Sequence, residues 1–184
     1  MLFTHDTELT LRAACVLVNS DRVDGDQLAD QAMLNAYLHS WGWTGRRDHD
    51  DAEVESVHKL RGRLGRIWAA ADDEARAVGQ INALLSDTRA SPWLTRHPEM
   101  PEWHLHLASI HDPLALRMGA EMAMSLADLV RSGELRRLKI CAAPDCDAVL
   151  VDLSRNRSRM FCDTGNCGNR QHVAAYRERR SKEA

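Results

Sequence analysis

The residue types that can do chemistry are concentrated between Cys141 and Arg170, in the stretch CAAPDCDAVLVDLSRNRSRMFCDTGNCGNR. Four of the chain's five cysteines lie there, as Cys141-x4-Cys146, fifteen intervening residues, then Cys162-x4-Cys167. Two matched pairs, separated by enough chain for one β-hairpin, suit a tetrahedral four-thiolate zinc site: each tight turn supplies two thiolates and the hairpin brings the turns together. All four ligands are then protein sulfurs, so the zinc, one per chain, is structural and not catalytic. Its binding energy helps to fold a segment too short to bury a core of its own. Disulfides and simple burial are the competing uses of cysteine, and disulfides suit exported chains. The segment from Met1 to Asp6 has no basic region followed by an apolar run, so no export signal is expected and zinc is the reading adopted.

The residues between and after the cysteines supply the scaffold. Ala148–Val151 reads as an apolar strand, Leu153–Ser158 as a polar turn and Arg159–Phe161 as the returning strand, which makes a zinc ribbon. Gly168 is expected to turn the backbone left-handed after Cys167, Asn169 to cap a helix beginning at Gln171, and Val173 and Tyr176 to hold that helix to the ribbon. Seven arginines decorate this unit: Arg155, Arg157 and Arg159, alternating through the turn and returning strand, and Arg170, Arg177, Arg179 and Arg180 on the helix. A planar, permanently charged guanidinium suits phosphate, so these seven are the candidate contacts to the backbone of double-stranded DNA. If about five of them meet phosphates, the logarithmic salt slope is about −4 to −5. Arg170 has a second use open to it, pairing with Asp152 or Asp163 to offset the negative charge of a thiolate centre. Asn156 and Gln171 are nearby amides able to reach base edges.

The tetrapeptide Cys167-Gly168-Asn169-Arg170, with Cys141-x4-Cys146 and Ser154–Arg159 ahead of it, closely resembles the CGNR zinc finger. The resemblance covers about the last quarter of the chain. Leu17-Val18-Asn19 in the first helix and the order of elements extend it, more loosely, to the ABATE domain that usually precedes such fingers in stress-response transcription regulators. It implies a DNA-binding function and a treble-clef-like hairpin plus helix.

At 184 residues and 44% hydrophobic, the chain has room for one ordinary domain and a small appendage. No run of eighteen apolar residues offers a membrane span. Charge is divided: residues 1–130 carry 12 Lys/Arg against 20 Asp/Glu, a net −8, and 131–184 carry 12 against 7, a net +5. The first part reads as mostly helical. Helices are expected from Asp6-Thr7, with Leu9, Leu11, Ala14, Cys15 and Val18 inward; over Asp26–Leu38, with Leu28, Ala29, Ala32, Met33 and Ala36 inward; and from Asp50-Asp51, with Val54, Val57, Leu60, Leu64, Ile67 and Trp68 inward. The third also carries Lys59, Arg61, Arg63 and Arg66, expected as a solvated face pairing with Glu53 and Glu55. A fourth helix spans Asp73–Leu85, and a fifth starts at Asp112-Pro113, buries Leu114, Met118, Met122, Leu126, Leu129 and Val130, and stops at Gly133. Between them, Trp93–Thr95 and Trp103–Leu107 form a small β-hairpin across the proline-bearing His97–Pro101 turn, with Trp103, Leu105 and Leu107 on the inner face.

Two features of the first part are candidate ligand sites. The Trp41–Arg47 segment, with Trp41, Trp43 and Arg46, reads either as an anion or aromatic pocket or as a loop whose tryptophans plug the core. His104 and His106, two apart on one strand face, read either as metal or anion ligands or as the polar side of a half-buried strand. The fold expected is α+β: residues 1–135 mostly helical with a small β-hairpin, then a four-cysteine zinc ribbon and basic helix over 136–184. The function expected is a DNA-binding transcription regulator, cytoplasmic or nucleoid-associated, with the helical part as a ligand-sensing or oligomerisation unit and a homodimer as one arrangement. The alternative is a zinc-ribbon docking module without specific DNA binding. No phosphate loop, His-Glu-x-x-His or nucleophile elbow occurs, so enzymatic activity is not expected.

Overall fold

The computed structural model describes residues 3–22, 25–97 and 100–182. In chain order the elements are α1 (His5–Asn19), α2 (Gln31–Ser40), α3 (Asp51–Ala69), α4 (Glu74–Asp87), β1 (Trp93–His97), β2 (Met100–His106), α5 (Leu114–Arg131), a single 3-10 turn at Leu135–Arg137, β3 (Leu138–Ile140), β4 (Val149–Val151) and α6 (Cys167–Lys182). The architecture is α+β, mostly helical, with two antiparallel two-stranded hairpins. Aspartates at 30, 50 and 73 cap α2, α3 and α4 by accepting from the N–H groups of Met33, Glu53 and Arg76. Gly133, left-handed at φ +66, ends α5, and the Glu134 N–H turns back to the Leu129 carbonyl.

The apolar stripes read from the sequence on α1, α3 and α5 meet in one core that includes Leu11, Ala14, Val18, Leu64, Ile67, Trp68, Met118, Met122 and Leu126, and Leu17, which is outside the expected stripe, is buried with them. The stripe expected for α2 does not. Asp30 caps the helix four residues after the anticipated start, and this rotates the buried face to Leu34, Tyr37 and Leu38, leaving Ala29, Ala32, Met33 and Ala36 exposed. Leu28 is buried, but in the turn before the helix. On α3 only part of the basic face is solvated. Arg61 is buried, paired with Asp26 and Asp21, and Glu53 is taken by Arg47, whereas Lys59 pairs with Glu55 as anticipated.

In the first hairpin Trp93 lies opposite His106, Leu94 opposite Leu105 and Thr95 opposite His104, with an irregularity between Thr95 and His97. Pro98 and Glu99 of the expected turn lie outside the described residues. The anticipated alternation fails near that turn: His104 is buried, while Trp103 is 65% exposed. His104 tolerates burial because its Nδ1 lies 2.9 Å from the Glu102 carbonyl, and the Trp103 ring is covered by the Arg96 guanidinium 5.0 Å from its centroid. Leu107 points inward as anticipated.

β3 and β4 are bound to the helices, not merely tethered. Leu138, Val149 and Val151 complete the main core. The Asn19 side chain acts as a substitute strand at the open edge of β4, donating to the Val149 carbonyl at 2.8 Å and accepting the Val149 N–H at 2.8 Å. The indole N–H of Trp68 donates to the Leu150 carbonyl at 3.0 Å. Removing a partner from a buried polar group costs about 1–3 kcal/mol per group left unpaired. Asn19→Ala leaves the Val149 N–H unpaired and the Val149 carbonyl with only the Cys15 thiol at 3.4 Å, and is therefore expected to lower the unfolding free energy by about 1–3 kcal/mol in urea titration; a change below about 0.5 kcal/mol, the size of an ordinary surface substitution, would show the clamp to be dispensable.

Candidate metal centre and the arginines around it

The first cysteine pair sits in the turn that joins β3 to β4. Leu138 faces Val151, Lys139 faces Leu150 and Ile140 faces Val149; the Cys141 N–H then closes the knuckle on the Ala148 carbonyl at 2.8 Å. This corrects the expected ribbon, in which β4 paired with Arg159–Phe161. The local partner wins because pairing with β3 closes a short knuckle, and the later segment joins the site through one bond, Ala142 N–H to the Met160 carbonyl at 2.9 Å. The second knuckle also differs from expectation. Its left-handed residue is Asn166, at φ +48, and α6 begins at Cys167, so Gly168 is helical and Asn169 lies inside the first turn instead of capping it. The glycine that the site requires is Gly165. A Cβ there would lie 3.0 Å from the Cys167 sulfur and 3.8 Å from that of Cys162.

The four sulfurs of Cys141, Cys146, Cys162 and Cys167 lie within 4.8 Å of one another, with Cys146 to Cys162 at 3.7 Å and Cys162 to Cys167 at 3.6 Å. Tetrahedral zinc with bonds of about 2.3 Å requires sulfurs about 3.8 Å apart. A disulfide requires about 2 Å, and all five cysteines are free. Electrostatics points to the same occupant. Burial, opposed by the Gly165 amide, pushes the Cys162 thiol up to about 12. Cys141 is held below the usual thiol value, where burial is outweighed by hydrogen bonds from the backbone at Ala143 and Cys162. A bare cluster cannot carry four adjacent thiolates, and a dication among them removes the repulsion. The residues present fit a structural Zn2+, which when bound crosslinks the β3–β4 turn to the start of α6.

Arg170 reaches across the two knuckles. It donates to both carboxylate oxygens of Asp145, at 3.1 and 3.2 Å, and to the Cys167 sulfur at 3.3 Å. Its partner is therefore neither Asp152 nor Asp163. Asp152, fully buried, organises the 152–159 turn: Lys139 Nζ lies at 2.6 Å, and the N–H groups of Ser154 and Arg159 donate at 3.0 and 2.9 Å. Burial opposes its charge, and these donors outweigh burial to bring its carboxyl down to about 2. Arg137, equally buried, donates to the Asp152 and Ser154 carbonyls and pairs with Glu134.

This knot takes up part of the arginine set. Arg157 is left-handed at φ +53 and pairs with Glu134 at 3.3 Å, and Arg159 pairs with Asp163 and donates to the Phe161 carbonyl. They do not share a strand face, because residues 154–157 form a turn. Arg155, Arg177, Arg179 and Arg180 are exposed and make no ion pair among the described residues. Val173 and Tyr176, expected to pack on the ribbon, are 41% and 55% exposed.

The other candidates are not assembled into one site. Trp41 and Trp43 pack against the main core. Trp41 borders a crevice of about 130 Å³ with Arg12, Cys15 and Arg159 on its walls, well under the ~300 Å³ of a small-molecule pocket, and Trp43, Arg46, His104 and His106 do not line it. Arg46 pairs with Asp48, and its loop is held by Arg117, which donates to the carbonyls of Thr44, Arg46 and Asp112. The His104 and His106 rings lie 5.0 Å apart, and no third metal-ligating residue joins them among the described residues. The sequence reading missed Asn19 as a clamp, Asp145 as the partner of Arg170, and Gly165. The one available signal was positional, since Asp145 adjoins Cys146 and Arg170 lies one helical turn after Cys167.

Two outcomes follow from this geometry. Elemental analysis of purified protein is expected to give one zinc per chain, lost as falling pH reprotonates the thiolates; two zincs per chain would contradict a single closed site. Because the folded carboxyl of Asp152 titrates near 2 and an ordinary one near 3.8, its stabilisation is complete above about pH 4 and vanishes as pH falls through 2. Asp152→Asn should cost about 2 kcal/mol at pH 7 and almost nothing at pH 2, and an equal cost at both pH values would contradict the assigned role.

Comparison with known families agrees with the geometry. Residues 137–180 match the CGNR zinc finger. Residues 11–133 match ABATE, described as "Putative stress-induced transcription regulator". No curated protein matches the chain. The ABATE match spans more than half of the sequence, and the chain therefore belongs to the ABATE family, with a CGNR zinc finger following the ABATE segment.

Proposed function

We propose that this protein is a DNA-binding transcription regulator whose zinc finger holds a basic helix against duplex DNA. The observation that carries the reading is the state of α6. From residue 172 onward every described side chain of this helix is exposed, and Arg177, Arg179 and Arg180 project from it without acidic partners among the described residues. A helix whose final turns bury little has little intrinsic stability in water. Anchored at its first turn by Cys167 and supplied with unneutralised guanidiniums, it suits a polyanion. The charge division supports the same partner, with a net +5 over 131–184 and −8 over 1–130. The acidic helical part supplies the rigid support, through Asn19 and Trp68, and is the proposed ligand-sensing or oligomerisation unit.

One observation favours a second role beside this one. Trp93 and Leu94 on β1 and Trp103 on β2 are all exposed, which suits contact with another protein surface. Docking through that hairpin is compatible with DNA binding through α6, whereas docking through the finger in place of DNA binding is the competing reading.

Internal pairing of Arg157, Arg159 and Arg170 leaves Arg155, Arg177, Arg179 and Arg180 as the arginines that face the DNA, through phosphates or base edges. With at most about four phosphates neutralised, the salt slope is no steeper than about −3 to −4, shallower than the −4 to −5 of about five contacts. Fluorescence anisotropy of the zinc-loaded protein on duplex DNA across a salt series measures it. Changing the four exposed arginines to Ala should weaken binding on every duplex and flatten the slope, while Arg157→Ala should lower stability and leave the slope unchanged. Wild-type binding that is undetectable at low salt would refute the proposal.

A further inference from the structure

The arginines of α6 do not all occupy one environment. Val173, Tyr176, Arg177 and Arg180 stand at i, i+3, i+4 and i+7, so they form one stripe along the helix, with His172 and Arg179 at its margin. All four are exposed. Gln171 lies on the opposite side, and Asn156 is outside the helix, so the two amides first considered for base edges are poorly placed to act with the stripe. We infer that this stripe is the base-reading surface of the finger, set into the major groove of duplex DNA, with Arg155 and Arg179 left to hold phosphates. The inference rests on the DNA-binding reading above and adds to it the residues that discriminate sequence.

Three features select this partner. The first is shape: α6 has sixteen residues, about 24 Å of helix, and the major groove admits a single helix. The second is the mixture of chemistry on one face. Guanidiniums bond bidentately to guanine O6 and N7, and apolar side chains meet the thymine methyl, so a stripe of two arginines with Val173 and Tyr176 matches a mixed G and T edge. The third is the way these groups are arranged. A helix that lies in a lipid surface keeps its basic residues on the face away from its apolar ones, whereas here Arg177 and Arg180 interleave with Val173 and Tyr176. The same interleaving opposes pairing of α6 with a second copy of itself, since it would bring like charges together across the two-fold axis.

The test starts with selection of a preferred site from random duplexes by the zinc-loaded full chain, then measures affinity for that site and for a scrambled duplex. Arg177→Ala and Arg180→Ala should each cost about tenfold or more on the preferred site and collapse the preference, whereas Arg155→Ala and Arg179→Ala should weaken both duplexes alike and keep it. Replacing thymine by uracil in the site removes only a methyl group. It should weaken the wild type about fourfold and leave the Val173→Ala, Tyr176→Ala double variant unaffected. Retained zinc stoichiometry and helical circular dichroism in each variant confirm that folding is not the variable. An unchanged preference in Arg177→Ala and Arg180→Ala, or a selection that enriches no site while duplex binding persists, overturns the inference and leaves the DNA-binding reading standing. Absence of duplex binding by the wild type removes both. Tighter binding to anionic phospholipid vesicles than to any duplex, or loss of self-association in the Val173→Ala, Tyr176→Ala variant with duplex affinity unchanged, reassigns the stripe to lipid or to a second copy.

Discussion

Four sulfurs within 4.8 Å of one another cannot all carry negative charge unless a dication sits among them, and much of the C-terminal architecture depends on that constraint. One pair of sulfurs closes the β3–β4 turn and the other opens the second knuckle and α6. A metal at their centre therefore fixes where the last helix starts and which way it leaves the finger. The surrounding residues complete the neutralisation: Arg170 spans from Asp145 of the first knuckle to the Cys167 sulfur of the second, and Gly165 keeps clear the space that any side chain would take beside two of the ligands.

The finger has too little apolar mass to stand by itself, and the helical part makes up the difference. Val149 and Val151 lie in the core of α1, α3, α4 and α5, and Asn19 and Trp68 satisfy backbone groups of β4 that a third strand would otherwise take. On the far side, the Asp152 knot takes Arg137, Lys139, Arg157 and Arg159 into the fold, by side-chain pairing or by their backbone. Charge that looks available in the sequence is thus partly structural. The finger's arginines without an ion pair among the described residues are concentrated on α6 and at Arg155, and this division separates the part of the finger that holds shape from the part proposed to meet DNA.

The spacing of cysteines made the metal site legible because a four-thiolate zinc tolerates few alternatives, and the caps at Asp50 and Asp73 and the stop at Gly133 made α3, α4 and α5 legible for equally local reasons. The misreadings share a cause in tertiary partners. Asp26 looked like the start of α2, but its carboxylate is committed to Arg61 on a later helix, and the cap falls to Asp30. The strand at 149–151 was visible and its partner was not, since β3 lies on the near side of the first cysteine and has only three residues. Arg157 and Arg159 alternate like a basic strand face in sequence, yet Glu134 and Asp163 claim them in space. Asn19 shows the limit most clearly. A single amide at the end of a helix carries no periodic signal, although it couples the two parts of the chain.

The central claim is that the zinc-anchored α6 is the surface that meets DNA. Hydrogen–deuterium exchange of the zinc-loaded full chain, with and without a bound duplex, tests it most directly because the claim concerns one helix. Binding is predicted to slow exchange in the amides of residues 167–182 and in the turn at 154–158, with no change in β1 and β2. Protection confined to the β1–β2 hairpin, or none in α6 while the duplex is demonstrably bound, would contradict the account.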